Sequence, residues 1–199
     1  MNQEDVLDAF RQSGALLEGH FVLSSGRHSA QYLQCARVLM DPVQASRLAE
    51  AMIGRLPPDL CEAVDKVVSP AMGGVIIGHE AGRALGRPAM FLERPTGTFE
   101  LRRGFSLEPG ERVLIVEDVV TTGLSSREAI AAVHSTGAQV VAATALVDRT
   151  GGGADLGVPF HPLVAITFPT FAQDEVPASL AAVPVTKPGS RHVVRDVVA

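Results

Sequence analysis

The chain has 199 residues, 46% of them apolar and 20% charged, a balance that suits one α/β domain with a sizeable core. A net charge of −5, no tryptophan and a single tyrosine, Tyr32, argue against nucleic acids, which need basic stripes and aromatic platforms, and leave small anions as ligands. No apolar run reaches membrane-spanning length, the N-terminal MNQEDVLDAF carries acids where a leader carries lysines, and Cys35 and Cys61 form no CxxC pair; a reducing cytoplasmic location with no membrane partner is expected.

Residues 3 to 13 put Val6, Leu7 and Phe10 on one helical face and stop at Gly14. Two short apolar stretches around Ser25-Gly26 suggest a hairpin. Asp41-Pro42 opens a helix that runs to about Leu56, before Pro57-Pro58. From Lys66 strands and helices alternate: a strand at Val67 to Ser69, a helix from Gly73 to Leu85, a strand from Pro88 to Leu92. Val113 to Val116 is a continuous apolar strand, as in a parallel sheet buried on both faces. A helix from Ser125 to Ser135 and strands at Gln139 to Val147 and Leu163 to Phe168 follow. This alternation predicts an α/β fold, a doubly wound, mainly parallel sheet with flanking helices, whose ligands bind beyond the carboxyl ends of the strands. Three parts are expected: an N-terminal hood segment (1 to 40), a core (41 to 168), and a C-terminal hood segment and tail (169 to 199).

The informative stretch is RVLIVEDVVTTGLSSREAI, beginning at Arg112. An apolar strand leads into Glu117 and Asp118, then a loop of hydroxyls and glycine, then a helix. The helix start supplies unpaired N–H groups and the positive end of the dipole, which favour a phosphate. Gly123 allows close backbone approach, and Thr121, Thr122 and Ser125 add hydroxyl donors. Ionised carboxylates only accept hydrogen bonds, so Glu117 and Asp118 suit the diol of a ribose whose 5-phosphate sits in the loop. A second reading stays open, because Ser125-x-x-Glu128 also has the form of a capping box that needs no ligand. No Gly-Lys-Ser/Thr and no GxGxxG occurs here, which sets aside ATPase and dinucleotide readings.

VLIVEDVVTTGLS closely resembles the signature of the type I phosphoribosyltransferases, which use phosphoribosyl pyrophosphate. The resemblance implies that Glu117 and Asp118 bind the ribose hydroxyls. It also implies that Val119, Val120, Thr121, Thr122, Gly123, Leu124 and Ser125 wrap the 5-phosphate. GHFVLSSGRHSAQYLQC in turn resembles the hood segment of orotate phosphoribosyltransferases, and the likeness continues in LRRGF, in Val147-Asp148-Arg149 and in KPGSR at 187 to 191. It covers nearly the whole chain and is nearest to a short bacterial branch. It implies transfer of a phosphoribosyl group to orotate in de novo pyrimidine (UMP) biosynthesis, with Thr121 and Arg149 contacting the base. A guanidinium can hold the orotate carboxylate by two parallel hydrogen bonds. Two positions depart from many relatives, Ser24 and Gly73, where lysines are usual.

By the same resemblance Ala71, Met72, Gly73 and Gly74 form a pyrophosphate loop, although glycines there could equally serve helix–sheet packing. ERPTGTFELRRG, from Glu93 to Gly104, corresponds to a mobile lid acting on the neighbouring subunit of a homodimer, with Arg94, Arg102 and Arg103 as its cations; the alternative is a solvated hairpin. His20 and His28 fall in the hood segment and fit a structural role. The implied cofactor is Mg²⁺, held mainly through substrate, with no protein metal cage. Asp118 is expected to steady the positive charge that develops on the ribose, and Arg102 and Arg103 to meet the leaving pyrophosphate. The rivals are a phosphoribosyltransferase for uracil or a purine, and a non-catalytic ligand-sensing regulator.

Overall fold

A computed structural model describes residues 1–23 and 25–187. Ser24 and the expected likeness at 188 to 191 lie outside them. In chain order the elements are α1 (Gln3–Gln12), β1 (Leu16–Val22), β2 (His28–Leu33), α2 (Cys35–Leu39), α3 (Pro42–Ile53), α4 (Pro58–Ala63), β3 (Lys66–Pro70), α5 (Gly74–Leu85), β4 (Ala89–Glu93), β5 (Glu100–Leu101), β6 (Arg112–Val120), α6 (Leu124–His134), β7 (Gln139–Asp148), β8 (Val164–Ala165), β9 (Thr170–Phe171), α7 (Ala178–Ala181) and β10 (Val185–Thr186). They group into two units, Met1–Ala15 with Cys35–Thr167, and Leu16–Gln34 with the segment from Phe168. The bounds differ from the expected hood of 1 to 40. Val6 and Phe10 of α1 have no solvent exposure, and α1 packs against α2 in the larger unit.

The larger unit is built on a six-stranded sheet of order β5-β4-β3-β6-β7-β8. All its pairings are parallel except that of β4 with β5. Its centre is apolar on both faces: Val67, Val68, Leu114, Ile115 and Val116 have no exposure. Val68, Val113 and Ile115 join Ala129, Ile130 and Val133 of α6 in one cluster. Ser69, of opposite parity on β3, faces α5, where a Cβ at Gly78 would meet its Oγ at 1.8 Å. Helices therefore cover both faces, and the winding reverses between β3 and β6. Loops leaving the carboxyl ends of these two neighbours diverge, which opens a crevice of the kind that holds ligands in such sheets.

The helix at Asp41-Pro42 starts as expected, with the Asp41 carboxylate accepting from Val43 N–H at 2.9 Å, and it ends at Gly54. Helices α2 and α4 were not expected, and the strand expected at 163 to 168 shrinks to two residues. The smaller unit is a sheet of order β10-β1-β2-β9. The β1–β2 hairpin turns through Gly26 at φ +80°, as Ser25-Gly26 suggested. Arg27 ties it to the C-terminal segment by donating to Thr170 Oγ1 at 2.8 Å and Thr170 O at 2.7 Å.

Candidate active site

Strand β6 runs to Val120, so Glu117 and Asp118 lie within the strand and not beyond its end. Val119 and Val120, expected to wrap a phosphate, are instead paired with Val147 and Asp148 of β7, because the apolar run continues past the acids. Side chains on a strand alternate, so the two carboxylates leave opposite faces. Glu117 shares its face with Val113 and Ile115 beneath α6, is 6% exposed, and accepts from Ser126 Oγ at 3.4 Å. Burial, then the Asp118 charge, push its carboxyl up to about 8, against hydrogen bonds from Ser125 and Ser126. Asp118 turns to the other face, toward Gly73, and burial raises its carboxyl as well, opposed by backbone N–H bonds. Two carboxyl groups are thus held in surroundings that disfavour their charged form until donors or a cation arrive.

The helix α6 begins at Leu124 with Gly123 as its N-cap at φ +72°, ψ +2°, and no side chain caps it. This corrects the capping-box alternative: Ser125 serves Glu117, and Glu128 pairs with Arg94. Thr121, Thr122, Leu124 and Ser125 are exposed beside the acids, and the Leu124 N–H donates to Thr122 Oγ1 at 3.4 Å. Gly123 is required twice over. Its φ suits few other residues, and a Cβ would meet Leu156 Cδ2 at 2.7 Å and Arg127 Nη1 at 2.9 Å. Gly123→Ala should lower unfolding free energy by about 1–2 kcal/mol in urea titrations and weaken ribose 5-phosphate binding measured by calorimetry.

Across the crevice, Ala71 to Gly74 lead from β3 into α5, whose N-cap Gly73 also lacks a side-chain cap. The Ala71–Met72 peptide is cis. Gly74 presses on the sheet, since a Cβ would lie 3.0 Å from Val116 O. Packing therefore accounts for Gly74, whereas Gly73 faces a carboxylate.

Arg149 follows β7, half-buried, and its N–H donates to Val120 O at 2.8 Å. The neighbouring Asp148, 1% exposed, accepts from Thr150 N at 2.7 Å, Thr150 Oγ1 at 2.7 Å and Gly152 N at 3.0 Å, which ties down the loop that carries Arg149. Asp148 was missed as a site residue, although Asp followed by Thr and Gly carries the signal of a side chain bonding its own loop.

The segment expected as a mobile lid is folded in this state as a hairpin, β4 pairing with β5 at Leu92–Leu101 and Glu93–Glu100. Phe99 is 9% exposed, and the Arg94 guanidinium lies 4.0 Å above its ring while bonded to Glu128. Arg102 and Arg103 both turn to Glu93, at 3.9 Å and 2.7 Å, and stay largely exposed. In the smaller unit His20 Nε2 and His28 Nδ1 are hydrogen-bonded at 2.7 Å, and His20 Nδ1 reaches Val183 O at 3.2 Å, which fits the structural role. Among the described residues no three His, Cys, Asp or Glu side chains gather as a metal site.

Residues 45–156 match the model of the phosphoribosyl transferase domain. Orotate phosphoribosyltransferase of Novosphingobium aromaticivorans is 70% identical, covering 96% of this chain and 98% of its own. That of Sphingopyxis alaskensis is 66% identical over 97% and 99%. The crystal structure of orotate phosphoribosyltransferase from Aeropyrum pernix superposes with a TM-score of 0.69 at 29% identity, covering 81% of this chain and 93% of that one. With the crevice at β3 and β6, the uncapped start of α6 and the loop carrying Arg149, these likenesses establish that the chain belongs to the orotate phosphoribosyltransferases of the phosphoribosyl transferase family.

Proposed function

We infer that the chain transfers the 5-phosphoribosyl group of phosphoribosyl pyrophosphate to orotate, giving orotidine 5-phosphate and pyrophosphate on the route to UMP. The observation that carries the site assignment is the uncapped start of α6 beside two carboxylates of raised pKa at the sheet's point of reversal. The 5-phosphate rests on the amides of Thr121 to Ser125 and their hydroxyls. Glu117 and Asp118 receive the ribose hydroxyls, and the loop Ala71 to Gly74 receives the pyrophosphate. Thr121 and Arg149 orient orotate by its carboxylate.

Transfer forms a bond from the base nitrogen to the anomeric carbon and breaks that carbon's bond to pyrophosphate, while the nitrogen gives up its proton to the departing pyrophosphate or to water. Positive charge grows on the sugar in between, and Asp118, facing the crevice, steadies it. Holding both reactants in line supplies much of the rate, with no covalent intermediate. The donor set fits Mg²⁺ carried in on the substrate: Asp118 is the protein carboxylate that would face it, and the ion would be held mainly through substrate and water. When bound, the ion supplies neutralising charge for the departing pyrophosphate.

We read the working unit as a homodimer in which hairpin 93–104 of one subunit brings Arg102 and Arg103 to the pyrophosphate of the other. In support, both arginines are largely exposed and share a single acid, Glu93. No helix among the described residues is long and apolar enough to cross a membrane. The free thiols of Cys35 and Cys61 support a reducing compartment, the cytoplasm, as the location.

The test is turnover of a panel of bases with phosphoribosyl pyrophosphate and Mg²⁺. Consumption of orotate alone is expected. Preference for uracil or a purine would move the chain to base salvage, and turnover of no base would make it a ligand sensor.

A further inference from the structure

The buried residues of α6 are Ser126, Ala129, Ile130 and Val133, one stripe at helical spacing. Three of them are apolar and join the core with Val113 and Ile115. Ser126 is the exception, a hydroxyl side chain 2% exposed at the end of the stripe nearest the phosphate loop. Alanine has the better helix propensity and would serve an apolar stripe, so packing does not call for a serine there. Among the described residues the Ser126 hydroxyl has one partner, Glu117 Oε1 at 3.4 Å. Its neighbour Ser125 also bonds Glu117, but Ser125 is exposed and lies where the 5-phosphate is placed.

We propose that Ser126 is a positioning residue: its buried hydroxyl keeps the Glu117 carboxylate aimed at the ribose hydroxyls when the Ser125 hydroxyl turns to the phosphate. The proposal rests on the reading of Glu117 as a group that meets the ribose. Adjacent residues on a helix point about 100° apart, so the two serines divide the work. Ser125 reaches outward to solvent and ligand, and Ser126 reaches inward to the acid. A phosphate in the loop draws hydroxyl donors to itself, and a donor drawn from Glu117 leaves that long side chain freer to turn. Ser126, shut away from solvent, is not reached by the phosphate, and its bond to the acid stays.

The experiment measures binding of inorganic phosphate and of ribose 5-phosphate to wild-type, Ser126→Ala, Glu117→Ala and the double variant. Phosphate engages the loop alone, whereas the sugar phosphate also engages the acid. For Ser126→Ala the dissociation constant of ribose 5-phosphate should rise on the order of 10-fold, while that of phosphate should stay within about 2-fold. In the Glu117→Ala background the same substitution should change ribose 5-phosphate binding by less than about 2-fold, the mark of coupled neighbours. Ser126→Thr and Ser126→Val share a shape and differ in the hydroxyl, so the threonine variant should bind the sugar phosphate about 5-fold more tightly than the valine variant. Equal losses for both probes would mean a distorted loop and would overturn the proposal, as would no loss for either, or a threonine no better than valine. Neither probe contains a base, so the outcome does not depend on orotate turnover. If Glu117→Ala binds ribose 5-phosphate as tightly as wild-type, the ribose reading of Glu117 falls and the proposal with it. If that variant binds weakly and Ser126→Ala does not, the proposal alone falls.

Discussion

Raising the pH from 5 to 9 should progressively destabilise the ligand-free protein through Glu117, and Glu117→Gln should flatten that loss. The folded carboxyl titrates at about 8 against an ordinary 4.5. The folded state therefore holds the proton more tightly than the unfolded one. Its contribution is complete below the unfolded value and disappears as pH climbs through about 8. The side chain is buried, so the full swing is on the order of 4 to 5 kcal/mol, readable as a drop in urea midpoint. Binding should pull the other way. A ribose diol and an accompanying cation favour the anion, so uptake of phosphoribosyl pyrophosphate at pH 7 should release close to one proton, seen by calorimetry in buffers of differing ionisation enthalpy. A glutamine at 117 should bind without that release and turn over more slowly. Equal proton release by both proteins would remove Glu117 from the ribose site.

Replacing Arg149 with alanine should lower kcat/KM for orotate by roughly 30- to 1,000-fold, the loss of about 2–4 kcal/mol that follows truncation of one partner in a hydrogen-bonded charge pair. The effect should be confined to the base: KM for phosphoribosyl pyrophosphate should stay within about 3-fold, because sites without shared partners add independently. Arg149→Lys should recover only part of the loss, since an ammonium restores charge but not the two-pronged fork. Asp148 explains why such a contact can be strict. It takes three hydrogen bonds from Thr150 and Gly152 and fixes the base of the arginine's loop. Initial rates with orotate varied at saturating co-substrate decide the matter; an unchanged orotate KM in the alanine variant would move the base elsewhere.

The parts legible in the sequence were those written in periodicity and local turn chemistry. The apolar run at Val113 to Val116, the Asp41 cap and the Ser25-Gly26 turn all appear where their residues put them. Short helices escaped, because Cys35–Leu39 and Pro58–Ala63 are too brief for a helical face to repeat. The length of β6 also escaped, as two charged residues read as the end of a buried strand. They continue it because one is covered by α6 and the other fills the space left by a glycine. Long-range partners were the least legible. Ser125 and Glu128 have capping-box spacing, yet their partners are Glu117, within β6, and Arg94, just after β4, and only the fold brings them near.

The two-residue β5 sits on the outermost edge of the sheet, joined only to β4. Strands β3 and β6, which bear the loops proposed to face substrate, are paired on both sides and owe it nothing. Peeling β5 away therefore sacrifices a few ladder bonds, the shelter of Phe99, on the order of 2 kcal/mol for the ring, and the packing of the half-buried Leu101. Opening of that kind costs far less than opening the deep centre of the sheet.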